Sequence, residues 1–336
     1  MSSTWLSAKP GCWLTVSVVF LPALALLPPA QADPPASPPA QAGATSQPAP
    51  IYDANADGAQ QVAAALVKAR RDNQRVLVMF GGNWCSWCHK LHDLLTNNRG
   101  IARLVQYEYQ LVLVDVGRMD KNQDLVKSYG IDLKKSGVPF LTVLDADGKV
   151  LVNQETGSLE QGQQHDPAKV VAFLRQWKTP PLDAEALFSA ARAKAITERK
   201  QIFLHLGAPW CIWCHRLEDF LAEPEIARIL EPEYIVLKID VDRMRGGKGI
   251  GTRLRDQLSR GLPWFAVVDA GGNVLASSEA EGGNIGFPML PDEVTHFMDM
   301  FKKTTRTLTA EQLARMEESL KAVGAKYKQQ AEQGGH

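Results

Sequence analysis

The sequence has no excess of charge of either sign: among its 336 residues, 37 Lys and Arg balance 37 Asp and Glu. Without a basic or acidic surplus there is no electrostatic footprint for a nucleic acid or an anionic membrane as partner. Cysteine is scarce as well, and five residues are too few to staple a disulfide-built scaffold of this length. No Ser/His/Asp arrangement, phosphate-binding loop, HExxH or dinucleotide fingerprint occurs, so the sequence calls for no nucleotide cofactor and no resident metal. Past residue 27 no apolar run is long enough to cross a bilayer. The last residues, Glu332 to His336, do not form an endoplasmic-reticulum retention tetrapeptide, which favours an exported bacterial setting. What is present is globular: 45% hydrophobic and 22% charged residues, in a length that suits two domains.

The first fifty residues differ from the rest. Lys9, an apolar run from Cys12 to Leu27 and the small-residue end Ala30-Gln31-Ala32 predict a secretory signal peptide over 1–32, cleaved after Ala32. The run contains Pro22 and is shorter than the ~20 residues a spanning helix needs. Residues 33–50, rich in Pro, Ala, Ser and Gln, lack the apolar area to offset ordering and read as a disordered tether. The mature chain is therefore expected in the periplasm or secreted. Asp53 to Gly58 imitates half of a calcium loop, but its twelfth position is Ala64 rather than a bidentate Glu, so Asp57 is read as a helix cap instead.

The remainder repeats itself. Residues 75–95 (RVLVMFGGNWCSWCHKLHDLL) align without gaps on 201–221 (QIFLHLGAPWCIWCHRLEDFL), with Gly81/Gly207, Trp84/Trp210, Trp87/Trp213, His89/His215 and Asp93/Asp219 recurring beside two CxxC pairs. DVGRM (115–119) then matches DVDRM (240–244), and VPFLTVLDADGKVL (138–151) matches LPWFAVVDAGGNVL (262–275). The offset stays at 124 to 126 residues, too long for a solenoid, so each copy is a domain. Within a copy the pattern reads as an amphipathic helix, a buried strand, the CxxC opening a second helix, a further strand, a helical stretch, a hairpin over Asp-Ala-Asp-Gly or Asp-Ala-Gly-Gly, and a closing helix. That order predicts an α/β fold, a mixed central sheet with helices on both faces, twice. Expected boundaries are 51–178 and 183–303, joined by the stiff Lys178-Thr179-Pro180-Pro181, with an added polar amphipathic helix over 309–330.

A strand ending in W-C-x-x-C at a helix start, followed about fifty residues on by an apolar residue plus proline, resembles the thioredoxin superfamily. The likeness covers roughly 52–178 and 183–303, and W-C-x-W-C-H is similar to the exported bacterial branch with Trp inside the active-site dipeptide. The resemblance implies thiol–disulfide exchange with protein substrates and with a redox partner that recharges the sites. A cysteine at a helix N-terminus feels the macrodipole and unpaired N–H groups, which favour thiolate. Cys85 and Cys211 are thus the expected nucleophiles, and Cys88 and Cys214 the resolving thiols. By resemblance, Val138-Pro139 and Leu262-Pro263 should be cis peptides packed on the cysteine pairs, with backbone that docks an extended substrate strand. Trp84, Trp87, Trp210 and Trp213 complete the expected substrate contacts, Trp87 and Trp213 standing exposed where thioredoxin has proline.

The copies also depart from the family pattern. Thioredoxins carry a buried acid six residues before the nucleophile; those positions are Met79 and His205 here. His205 is a candidate for proton transfer, alongside His89 and His215, which follow the resolving cysteines, and the two sites are expected to differ. A rival reading takes Cys85, Cys88, His89 and His92, or Cys211, Cys214, His215 and Glu218, as ligands for copper or zinc. Four ligands spread along one helix converge poorly, since i and i+7 lie ~10 Å apart.

Overall fold

The computed structural model describes residues 49–255 and 261–333. The expected signal peptide, with Cys12, and nearly all of the expected tether lie outside the described residues. The first repeat runs α1 (Gly58–Asp72), β1 (Arg75–Gly81), α2 (Ser86–Asn97), α3 (Arg99–Glu108), β2 (Tyr109–Asp115), α4 (Gln123–Ser128), α5 (Leu133–Ser136), β3 (Phe140–Leu144) and β4 (Val150–Glu155). A two-residue ladder of β5 (Glu160–Gln161) and β6 (Gln164–His165) leads into α6 (Pro167–Trp177). The second repeats this as α7 (Ala184–Glu198), β7 (Gln201–Gly207), α8 (Ile212–Leu221), α9 (Pro224–Leu230), β8 (Tyr234–Asp240), α10 (Gly247–Leu254), β9 (Trp264–Val268) and β10 (Val274–Ser277). The ladder β11 (Glu279–Ala280) and β12 (Gly283–Asn284), then α11 (Pro291–Thr304) and the added α12 (Ala310–Gln333), complete it.

Both four-stranded sheets have one topology. Their orders are β2-β1-β3-β4 and β8-β7-β9-β10, the central strand parallel to the outer β2 or β8 and antiparallel to the hairpin strand β3 or β9. Helices cover both faces, which is why β1 and β7 are buried along nearly their whole length rather than at alternate positions. Alternation sorts the faces instead. Leu77 and Met79 pack with Leu91, Leu95, Val170 and Phe173 toward α2 and α6, while Val76, Val78 and Phe80 pack with Val62, Ala65 and Val126 toward α1 and α4. In the second repeat Phe203 belongs to the cluster with Leu217 and Phe297, and Ile202, Leu204 and Leu206 to the one with Phe188 and Ile250.

Caps follow the sequence signals. Asp57 accepts from the backbone N–H of Ala59 and Gln60, and Asp166 and Asp183 cap α6 and α7 in the same way. The Pro-rich joint is held down on the first repeat: Thr179 is buried, its hydroxyl donates to the Asn73 carbonyl at 2.6 Å, and it accepts from Arg243 Nη2 at 3.1 Å. Helix α12 buries Met316 and Leu320 in the second repeat's core beside α11. No helix of the described residues is long and apolar enough to cross a membrane.

Candidate active site

Each cysteine pair sits where a central strand hands over to a helix. Cys85 and Cys211, where the helices were expected to start, are the N-caps of α2 and α8 with extended rather than helical backbone, so each helix begins one residue later than expected. Each Sγ accepts the N–H of the cysteine three residues on, at 3.1 Å in both sites. The pairs Cys85–Cys88 and Cys211–Cys214 are closed as disulfides with Cα atoms 5.2 Å apart. All four cysteines are buried, so a partner reaches them only along the rim that the neighbouring side chains form.

That rim is built alike in both sites. The Val138–Pro139 and Leu262–Pro263 peptides are cis, the prolines buried and the preceding residues half-buried. The Val138 carbonyl lies 3.6 Å from Cys85 Sγ. The proline carbonyls are fixed from behind, Pro139 by the Thr156 hydroxyl and Pro263 by the Asn284 amide. Trp84 and Trp210 are exposed, at 45% and 53%, and each indole N–H is fixed to the loop after β2 or β8. Trp84 donates to the Gly117 carbonyl at 2.6 Å and Trp210 to the Asp242 carboxylate at 2.8 Å. This gives the recurring DVGRM and DVDRM blocks a job that sequence reading had left without one: they carry the anchor for the tryptophan before each pair.

Inside the dipeptides the sites diverge. Trp213 is exposed, with Arg216 over its ring at 4.2 Å and Phe287 stacked beside it. Trp87 is only half-buried rather than open, because His165 packs edge-on against it at 5.2 Å and Lys90 lies over it. His89 and His215 do not point away into solvent. Their Nε2 atoms lie 2.9 Å from the Asn83 carbonyl and 3.0 Å from the Pro209 carbonyl, so each Nε2 carries the proton and braces the loop before its cysteine pair. The Glu218 carboxylate, 3.4 Å from His215 Nδ1, holds that imidazole cationic to higher pH than usual, against burial.

His205 lies on the same face of β7 as Phe203, fully buried, and its Nδ1 has no partner. Burial pushes it down to about 4, with Glu218 opposing, so it is neutral around pH 7. Met79 fills the matching place in the first site. Two further groups stand beside the resolving cysteines: Tyr52, which the sequence did not single out, and Glu218, weighed there only as a metal ligand. A Cβ built on Gly207 would meet Cys214 Sγ at 3.5 Å and Glu218 Oε1 at 3.6 Å, so sulfur and carboxylate gather around one bare glycine. At Gly81 the same construction meets Cys88 Sγ at 2.6 Å and the Tyr52 hydroxyl. Tyr52 is buried, its hydroxyl unpartnered and pushed up by burial and by the Asp115 carboxylate. At Gly81 only glycine leaves room for the pair, whereas at Gly207 a Cβ would fit with little adjustment.

Of the residues weighed as metal ligands, only His215 and Glu218 belong to a compact group among the described residues. Among the described residues, Asp72, His215 and Glu218 bring ligand atoms within 4.8 Å of one another. The Lys238 ammonium already stands 2.7 Å from Asp72 and 2.8 Å from Glu218, compensating the two carboxylates.

Comparison with known proteins agrees with this geometry. A family model described as thioredoxin-like matches residues 57–146, and one described as a protein of unknown function, DUF255, matches 165–246. The chain is 30% identical over 111 residues to a disulfide bond reductase, DsbH, of Chlamydia pneumoniae, covering 30% of this chain and 64% of that protein. It is 23% identical over 177 residues to a protein disulfide-isomerase, tigA, of Aspergillus niger, covering 52% of this chain and 47% of that protein. The chain thus spans less than two thirds of either curated relative. A solved disulphide isomerase from Xylella fastidiosa Temecula1 shares 32% identity over 38% of this chain and 95% of its own, with a TM-score of 0.34.

Proposed function

Because the chain belongs to the thioredoxin superfamily, with two thioredoxin-like domains, we propose that it is an exported thiol–disulfide oxidoreductase acting on protein substrates through both CxxC sites. The observation that carries this reading is the repeated constellation of a cysteine at a helix N-cap, a second cysteine one turn on, and a cis-proline loop against the pair. The domains are taken as 51–178 and 183–303, the export signal as 1–32, and the compartment as the periplasm or the exterior.

In the reduced state Cys85 or Cys211 attacks one sulfur of a substrate disulfide and expels the other as a thiolate, forming a mixed disulfide. Cys88 or Cys214 then attacks the N-cap sulfur. The substrate leaves with both thiols and two electrons, and the site closes to the disulfide form seen here. Run backwards, the same steps oxidise a substrate dithiol. A separate redox partner resets the pair in either case. The helix start favours thiolate on the first cysteine, and Trp84, Trp210 and Trp213 offer apolar faces to a client chain lying along Val138 and Leu262.

The test is turnover of a disulfide-bonded protein such as insulin with dithiothreitol as donor. Cys85→Ser and Cys211→Ser each remove one site's contribution, and the double variant falls to the uncatalysed rate. Turnover that survives in the double variant would refute the assignment.

A further inference from the structure

Glu218 is tied to the first repeat. On α1, Arg71 places Nε 3.4 Å from Glu218 Oε2 and Nη1 2.5 Å from Asp219 Oδ1, and both Arg71 Nε and Nη2 also bond Asp72. Lys238 on β8 bridges Asp72 and Glu218. The Glu218 side chain is 2% exposed, that of Asp72 6%, so these charges interact with little screening from water. The neighbour of Cys88 across Gly81 is instead the Tyr52 hydroxyl, with the buried Asp115, paired to Lys121 of the same repeat, behind it.

We propose that Arg71 is a positioning residue for the second site: acting through Glu218, the first repeat sets the thiol ionisation of Cys211 and Cys214. This deepens the exchange reading and rests on it for its functional meaning. The groups facing Glu218 are Arg71 and Asp72 from α1, His205 from β7, Lys238 from β8, and His215 and Asp219 from α8 itself, with Lys68, Arg216 and Tyr327 lining the adjoining 370 Å³ cleft. His205 is neutral, so within this cluster the carboxylates of Asp72, Glu218 and Asp219 are opposed chiefly by Arg71 and Lys238, and Glu218 is the one beside Cys214 across Gly207. Both cations, with His215, hold Glu218 ionised despite its burial. Removing Arg71 leaves the carboxylate excess uncompensated, which disfavours thiolate at the pair. The second site therefore has its ordinary reactivity only while the repeats are docked.

The experiment follows iodoacetamide alkylation of the reduced full chain against pH, with Cys85 and Cys88 both changed to Ser so that only the second site reports. Arg71→Met is expected to move the profile alkaline by about half a pH unit or more. Arg71→Lys, which keeps the charge, should recover most of that shift. Glu218→Gln should move the profile in the acid direction, and adding Arg71→Met to it should produce less than half of the single variant's shift. In a chain carrying Cys211→Ser and Cys214→Ser instead, Arg71→Met should leave the first site's profile where it was. A superimposable second-site profile, an equal shift at both sites, or an undiminished shift in the Glu218→Gln background would each overturn the proposal. Alkylation reads ionisation without turnover, so a chain inert toward insulin would sink the exchange reading while this result stood by itself.

Discussion

At position 205 the second repeat buries an imidazole where the first buries Met79, and the consequence is a dependence on acid. The native state, with His205 pushed down to about 4 by burial, declines a proton that the unfolded chain takes up near 6.5. Stability from keeping the ring neutral is whole above pH 6.5 and is lost as pH falls toward 4. His205→Met, which copies the first repeat, should therefore lose less stability between pH 7 and pH 4.5, by about 1–3 kcal/mol in urea titrations. Equal losses in variant and parent would contradict this. The cysteines and the X–Pro positions were legible because they are spaced along one copy and repeat in the other, and His205 because it replaces Met79 at an aligned position. Tyr52 and the place of Glu218 beside Cys214 were not. Tyr52 reaches Cys88 from a segment ahead of α1, and the sequence offered Glu218 only as a metal ligand along its helix, not as a carboxylate turned onto Gly207.

The central strands and most of the long helices were readable from apolar period and cap residues and fall where those signals place them, but α3 and α9, which follow the CxxC helices directly, were not anticipated. The one-turn α5 and the two-residue ladders β5–β6 and β11–β12 offer too few positions for any period to show. Helix α12 was visible as an amphipathic stretch, but its partner was not. It buries Leu320 in the core of the second repeat, and the turn before it is held by Glu233, which accepts from Thr305, Arg306 and Thr307. Its Tyr327 lies 4.1 Å from the Arg216 guanidinium that covers Trp213, so the helix braces one flank of the second site. Leu320→Ala should cost about 2–4 kcal/mol in chemical denaturation. It should leave alkylation at Cys85 unchanged, and an equal loss of order around both sites would contradict a helix that serves the second repeat alone.

Across the whole molecule, the two repeats are docked through charges from α1, α3 and the joint on one side and β8 with its following loop on the other. Arg243 alone donates to the Asp72 and Asn73 carbonyls, to Glu108 and to Thr179. The Asp242 carboxylate that anchors Trp210 also accepts from Tyr107 of the first repeat at 3.0 Å. Arg243→Ala takes a donor from the buried Glu108 carboxylate, leaving it only the more distant Lys178, and from three further acceptors, a change of the kind that costs about 3–5 kcal/mol. It should open the 178–182 joint to limited proteolysis while each sheet stays folded; resistance equal to the parent's would show that docking does not depend on it. None of this docking could be read from the chain, because partners lie more than sixty residues apart and share no motif. The repeat itself was plain, and the packing of one copy on the other was not.

The central claim is that both cysteine pairs exchange disulfides. Its most direct measurement is the equilibrium of each pair with glutathione at pH 7, using chains in which the other pair is changed to Ser. Each pair is predicted to interconvert reversibly between dithiol and disulfide with a two-electron dependence on the glutathione ratio, and the two midpoints are predicted to differ. A pair that stays locked in one state across the whole accessible range, or that never forms a mixed disulfide, would contradict the account.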